Sequence, residues 1–254
     1  MSTDHKNTLI TGAATRIGKA IALGMARKGW SIALHYHGSH DEAEATAEEI
    51  RQTGAQVTLL MADLSDERQS AALIGQAVDA IGPLTCLVNN ASLFEFDDFA
   101  TASAESWQAH MSVNLRAPFL LSQQFAKQLP AELAGNIINI IDQRVWKLTP
   151  DFTSYTLSKA GLWTLTQTAA QALAPRIRVN AIAPGPTLKG ARQTEENFTR
   201  QVAAVPLRVQ PALDEFCNAV DFILASSSLT GQMIALDGGQ HLAWETPDVV
   251  GVDE

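Results

Sequence analysis

The sequence predicts an α/β fold, a single domain built on a doubly wound parallel sheet of seven strands with helices on both faces. Three observations carry this. Short β-rich runs alternate with segments of helical period along the 254 residues. The runs are apolar nearly throughout, as strands covered on both faces must be. A chain this long also buries roughly 70–75% of the surface its unfolded form exposes, so neither disulfide nor metal is needed to hold its core.

The elements follow in order. TLIT (8–11) is the first strand, and the helical segment 16–28 after it carries apolar Ile17, Ala20, Ile21, Leu23 and Met25. SIALHYH (31–37) leads into an acidic, Ala-rich helix over 41–53, and QVTLLMA (56–62) into an amphipathic one over 66–81. LTCLVN (84–89) and NIINII (136–141) precede long helical segments at 105–129 and 151–174. IRVNAI (177–182) and QMIALD (232–237) complete the seven strands. Residues 185–211 are polar and contain Pro186, Pro206 and Pro211, which marks a lid or insertion. The tail after Asp237 shows no clear period.

Composition excludes several classes. With 18 basic and 27 acidic side chains the formal net charge is −9, which disfavours non-specific attraction to nucleic acid or anionic lipid. No run of uncharged apolar residues is long enough to span a membrane, and MSTDHKNTLIT lacks the apolar core of a signal peptide. Cys86 and Cys217 are too far apart for a zinc pattern and too few for a disulfide framework; both sit in apolar runs, as packing residues do. The expectation is a soluble protein of a reducing compartment, most simply the cytoplasm.

The turn after the first strand, Thr11-Gly12-Ala13-Ala14-Thr15-Arg16-Ile17-Gly18, opens a helix. Small residues let the chain turn sharply and aim backbone N–H groups of a helix N-terminus outward, where phosphate oxygens bind well. The second strand ends in His35-Tyr36-His37-Gly38-Ser39 without the carboxylate that NAD-binding proteins often place there for the ribose diol. Ser39 and the histidines suit a 2′-phosphate instead, which favours NADPH (NADP+) as cofactor. The competing reading of His35 and His37 as metal ligands lacks a third partner, so no metal is expected.

Tyr155 and Lys159 stand four apart in a helical segment and share one face. An ammonium beside a phenol lowers the phenol pKa, and such a tyrosine exchanges a proton with substrate near neutral pH. The ordered set Thr11-Gly12 to Gly18, Asp63, Asn89-Asn90-Ala91, Asn114, Tyr155 with Lys159, Pro184-Gly185 and Asp237-Gly238-Gly239 resembles the short-chain dehydrogenase/reductase family over nearly the whole chain. That resemblance implies a Rossmann-like sheet, with Tyr155 as proton donor and Lys159 on the nicotinamide ribose. It also implies a supporting role for Asn114 in a water relay to Lys159. Asp63 with Leu64 would meet the adenine, Asn89 would line the cofactor channel, and Pro184, Gly185 and Thr187 would border the nicotinamide. Gly12, Ile17, Gly18, His35, Tyr36, His37, Ser39, Asn90 and Ala91 complete the implied cofactor set.

Two departures narrow the reading. Most of the family has glycine where this chain has Arg16, and serine thirteen residues before the tyrosine, where this chain has Asp142. An ionised carboxylate only accepts hydrogen bonds, so it serves the oxyanion of ketone reduction poorly. Imine reduction needs a proton at nitrogen instead. Both departures occur in pteridine reductases, which this chain resembles further in His35-Tyr36-His37, Asn89 to Phe94 and Val205-Pro206-Leu207. The likeness implies that Arg16 reaches pyrophosphate and pterin, that Phe94 stacks on the pterin ring, and that Ser92, Asp142 and Tyr155 also contact substrate. The basic residue expected after His-Tyr-His is Gly38 here. The implied activity is NADPH-dependent reduction of a dihydropterin- or dihydrofolate-like C=N bond. The alternatives are a carbonyl reductase of a 3-oxoacyl thioester or sugar ketone, and a non-catalytic nucleotide-binding protein on the same fold. The resemblance further implies a homotetramer through the helices at 105–129 and 151–174, with the C-terminal segment near a neighbour's site. Trp146 and Trp163 are expected to be structural, with Trp146 near the pocket, and His110 and His241 to face solvent or an interface.

Overall fold

The computed structural model describes residues 5–190, 192–246 and 250; one residue of the 185–211 segment and the last part of the tail lie outside these. The chain runs β1 (Asn7–Ile10), α1 (Arg16–Ala26), β2 (Ser31–Tyr36), α2 (His40–Gln52), β3 (Val57–Met61), α3 (Glu67–Ile81) and β4 (Cys86–Asn89). It continues with α4 (Ala104–Met111), α5 (Ala117–Gln128), β5 (Gly135–Ile140), α6 (Thr153–Leu173), β6 (Ile177–Pro184), α7 (Glu195–Ala203), α8 (Leu213–Ala225) and β7 (Met233–Leu236). All seven strands form one sheet in the order β3-β2-β1-β4-β5-β6-β7, and every pairing is parallel.

Neighbouring residues on one strand feed opposite layers, because successive side chains of a strand point to opposite faces. Ile10, Val88 and Ile138 join Ile21, Met25, Phe216, Val220 and Ile223 of α1 and α8. Leu9, Leu87 and Ile137 join Leu73, Ile74, Leu121, Phe125 and Ala170 of α3, α5 and α6. The near-continuous apolar strands are thus apolar for two different cores. α1 and α8 approach closely at Gly24, where a Cβ would stand 2.7 Å from the Cys217 sulfur. The Cys217 thiol donates to the Ala20 carbonyl, and Cys86 is fully buried, so both cysteines pack as expected.

The structure adds to the expected elements at three places. The segment 105–129 is two helices joined by a π-helical turn at Ser112–Arg116, which carries the buried Asn114. The 185–211 segment contains a full helix, α7, capped by Thr194. α8 goes unnamed in the sequence reading although Phe216, Ala219, Val220 and Ile223 recur at helical spacing along its buried face. Among the described residues no helix is long and apolar enough to cross a membrane.

Candidate active site

The strand order reverses between β1 and β4, and in such sheets the crevice outside the carboxyl ends of the strands is where ligands bind. A cleft of about 530 Å³ lies there. Of the expected cofactor residues, Gly12, Arg16, Ile17, Gly18, His35, Tyr36, His37, Ser39, Asp63, Leu64, Asn90, Ala91, Tyr155, Lys159, Pro184 and Gly185 line it. Ser92, Phe94 and Asp142 share the wall, as do Thr15, Leu93, Val113 and Ile141, which were not anticipated. Thr187 is not on the wall: it is buried and donates to the Gly185 carbonyl at 3.1 Å.

The glycine turn is held from below. Gly12 sits at φ +62°, and a Cβ on Gly18 would stand 2.3 Å from the Gly12 carbonyl, so the turn demands glycine at both positions. The Asn90 amide donates to the carbonyls of Thr11 and Gly12, while the Thr11 hydroxyl accepts from the N–H groups of Asn90 and Ala91. Beneath lies His35: its Nδ1 accepts the Gly12 N–H at 3.1 Å, which leaves Nε2 to donate to Ala62 O at 3.1 Å. Burial pushes its pKa down to about 4, so the ring stays neutral. Both nitrogens are occupied, and among the described residues no three His, Cys, Asp or Glu side chains cluster as metal ligands would. The α1 N-terminus has neither a side-chain cap nor an acidic residue in its first turn, whereas Asp66 caps α3. An uncapped helix start on a cleft wall leaves backbone N–H groups to which an anion could bind.

Arg16 adopts φ +56°, a left-handed conformation that costs a non-glycine residue about 1–2 kcal/mol. Its guanidinium reaches across to the Leu188 and Lys189 carbonyls, both at 3.0 Å, rather than into a surface ion pair. Asp63, expected beside the adenine, accepts the Ser65 N–H at 2.8 Å, and hydrogen bonds from Ser65 hold its carboxyl below the usual value.

α6 presents Tyr155, Ser158, Lys159, Leu162, Thr166 and Ala170 inward, a repeat of three and four that places the reacting pair on the sheet's carboxyl edge. The Tyr155 hydroxyl donates to Asp142 Oδ2 at 2.9 Å, and Asp142 Oδ1 accepts the Arg144 N–H at 2.8 Å. Burial raises the Asp142 pKa. The Tyr155 phenol rises well above its ordinary value, through burial first and the Asp142 charge second. This overturns the expectation that Lys159 lowers it. Lys159 donates instead to the Ile140 carbonyl at 2.9 Å, with its Nζ 5.9 Å from the phenol ring centre, and burial pulls its own pKa down to about 8.

Asn114 is off the cleft wall. Its amide clamps Leu93 in both directions, accepting the N–H at 2.8 Å and donating to the carbonyl at 2.9 Å, and also donates to Ser158 Oγ at 3.0 Å. Asn89 likewise turns away from the channel: it is buried in the sheet and donates to Asn139 Oδ1.

At the outer end Phe94 stacks on Phe152 with centroids 4.5 Å apart and meets Tyr155 edge-on at 4.6 Å. A buried polar chain braces this end. His110 Nε2 accepts the Glu95 N–H, its Nδ1 bonds to Ser154 Oγ at 2.6 Å, and Ser154 donates to Asp97. His110 is therefore an internal brace, not a solvent or interface residue. His241 also bonds inward, Nδ1 to Asp237 Oδ2 at 2.7 Å, and its ring lies 5.2 Å from that of Trp146, which is off the cleft wall. Arg192, which escaped the sequence reading, pairs with Glu95 and lies over Phe94.

The model of the short chain dehydrogenase family matches residues 6–200. A curated relative, the 3-oxoacyl-(acyl-carrier-protein) reductase FabG of Staphylococcus aureus, is 31% identical over 242 residues, 93% of this chain and 98% of the relative. The FolM alternative dihydrofolate reductase 1 of Brucella suis, crystallised with NADP, superposes with a TM-score of 0.93 at 52% identity, covering 96% of this chain and 98% of the other. A blue fluorescent protein from a metagenomic library, crystallised with NADPH, superposes with a TM-score of 0.87 at 28% identity, covering 94% and 99%. The chain belongs to the short-chain dehydrogenase/reductase family. It is an oxidoreductase of that family.

Proposed function

We propose that the chain is an NADPH-dependent reductase of a pterin, acting on a C=N bond of a dihydropterin or dihydrofolate-like ring. The observation that carries this is the Tyr155–Asp142 hydrogen bond, which puts a carboxyl group at the reacting end where the family's ketone reductases have serine. The likeness to the Brucella reductase supports the same reading.

The cleft fits the cofactor. The uncapped α1 start and the tight Gly12–Gly18 turn suit a pyrophosphate. Arg16 adds a cation beside it. His37 and Ser39 lie on the wall where the 2′-phosphate belongs, with Asp63 and Leu64 toward the adenine. Lys159 and Tyr155 hold the nicotinamide ribose, bordered by Pro184 and Gly185. When bound, NADPH supplies the hydride. Asp142 and Tyr155 act as one unit on the substrate. A carboxyl whose pKa climbs holds its proton longer, and a phenol whose pKa climbs stays neutral, so the pair keeps a proton beside the ring nitrogen. Tyr155 delivers that proton as hydride reaches carbon, with Asp142 receiving ring N–H groups and orienting the hydroxyl. Asn114 fixes the Leu93 backbone, and with it the loop that carries Ser92 and Phe94.

The second reading, reduction of a 3-oxoacyl thioester, is favoured by the Staphylococcus relative. NADPH oxidation with dihydrobiopterin, dihydromonapterin, dihydrofolate and an acetoacetyl thioester separates the two. Turnover of the thioester alone refutes the pterin assignment.

Assembly as a homotetramer suits the partly exposed Trp107, Phe119 and Leu157 on α4, α5 and α6, and the exposed Leu242 and Trp244 of the tail. Light scattering at micromolar concentration tests it; a fully active monomer refutes it. The free thiols of Cys86 and Cys217 suit the cytoplasm.

A further inference from the structure

Two guanidinium groups stand over a cluster of phenyl rings beside the cleft, and of these residues Phe94 lines the cleft wall. Phe96 meets Phe152 edge-on at 5.2 Å, and Phe152 stacks on Phe94 with the planes 19° apart. Arg144 lies over Phe152, Cζ 5.1 Å from the ring centre, and Arg192 over Phe94 at 5.5 Å. A phenyl ring has two faces, and Phe152 takes one of Phe94's. The other is the one left for a substrate ring, and Arg192 lies over Phe94 from beyond the cleft wall. This guanidinium is tethered at the side, paired with the Glu95 carboxylate and donating to the Phe94 carbonyl. The two side chains are 45% and 62% exposed, and an ion pair that open is worth at most about 1 kcal/mol. It gives way readily to a second carboxylate.

We infer that Arg192 is a specificity-determining residue for substrates whose planar ring carries an acidic arm. This rests on the pterin reading above. The incoming ring takes the Phe94 face and displaces the guanidinium outward, to the side where the ring's substituent leaves the cleft. There the five-donor fork of Arg192 binds a substrate carboxylate in place of, or beside, Glu95. A protein of net charge −9 repels an acidic ligand, so a cation at the mouth decides whether such a ligand is accepted. The preferred substrate is a dihydrofolate-type pteridine with a carboxylated arm, over a dihydropterin with a short neutral side chain.

The test compares dihydrofolate with 7,8-dihydrobiopterin at saturating NADPH in the wild type, Arg192→Ala and Glu95→Gln. Arg192→Ala raises the dihydrofolate KM about tenfold, the loss of one charge-assisted contact of about 1.4 kcal/mol, and does not raise the dihydrobiopterin KM. Glu95→Gln removes the competing carboxylate and lowers the dihydrofolate KM. Added salt raises the dihydrofolate KM of the wild type and not that of Arg192→Ala. An equal rise for both substrates in Arg192→Ala overturns the inference, as does a Glu95→Gln variant that loses dihydrofolate affinity, because the pair is then only a brace. Should the wild type reduce neither pteridine, the pterin reading itself fails; equal behaviour of two reduced pteridines refutes this inference alone.

Discussion

The Tyr155 hydroxyl donates a hydrogen bond to Asp142 Oδ2 across 2.9 Å, so the phenol and the carboxyl meet on the cleft wall. Removing the hydroxyl breaks that bond and, on the proposed mechanism, takes away the proton donor. Tyr155→Phe is expected to lower turnover at least about a hundredfold, the scale of losing a general acid. Stopped-flow measurement of NADPH oxidation under single-turnover conditions checks it; a near-normal rate means the proton arrives by another route.

Asp142→Ser restores the hydroxyl found elsewhere in the family and removes the acid. It should slow dihydropterin reduction while preserving or raising any activity on an acetoacetyl thioester, because serine donates toward a carbonyl oxygen. Asp142→Asn keeps the shape but loses the acid, and should also slow the pterin reaction. An Asp142→Ser variant with the wild-type pterin rate refutes the assigned role.

The Lys159 ammonium titrates near pH 8 because burial disfavours its charge. On the proposed reading its hold on the ribose weakens as that charge is lost, so the Kd for NADPH should rise as pH climbs through about 8. Lys159→Met should bind weakly at every pH and lose this limb. Fluorescence titration from pH 6 to 9.5 provides the measurement.

On the proposed reading, cofactor choice rests on His37 and Ser39, which line the cleft, and on the missing carboxylate after β2. Specificity for NADPH over NADH is expected to be at least about tenfold, a difference of about 1.4 kcal/mol that one phosphate contact supplies. Equal kcat/KM for the two cofactors would falsify the 2′-phosphate reading.

His35 makes a pH-dependent contribution to stability. Its pKa of about 4 in the fold lies below the ordinary 6.5, so the unfolded chain binds more protons between those values. Stability is fully present above pH 6.5 and falls as pH drops toward 4, at about 1.4 kcal/mol per unit. Between pH 7 and 4.5 the wild type should lose about 2 kcal/mol more than His35→Gln, read from urea unfolding at both pH values.

The strands were legible because a buried parallel strand is apolar nearly along its whole length, as Cys86, Leu87 and Val88 of β4 show. Residues carrying an ordered motif, such as Tyr155 and Lys159, were legible too, since the motif fixes both element and face. The direction of the Tyr155 shift was not: it depends on how close Asp142 and Lys159 each come to the phenol, and spacing along a helix says nothing of a residue on the neighbouring strand end. Asn89 and Asn90 illustrate a different limit. Successive residues at a strand end face opposite ways, so one is sheet interior and the other cleft wall. His110 and Arg192 belong to no motif, and only packing across 15 and 97 positions brings each to Glu95. The α8 repeat of Phe216, Ala219, Val220 and Ile223 lies just beyond Pro206 and Pro211, where the helical period of the chain is interrupted.

The strap between Thr11 and Asn90 joins residues 79 positions apart. A chain emerging from the ribosome therefore carries its glycine turn, and even the His35 ring beneath it, well before it carries the amide that ties the turn down. Three strands and three helices must wait for the fourth strand to slide in beside the first. The turn consequently gains its strap only once residue 90 of 254 has been made, and a chain truncated before Asn90 holds a turn of the right spelling with His35 alone to steady it.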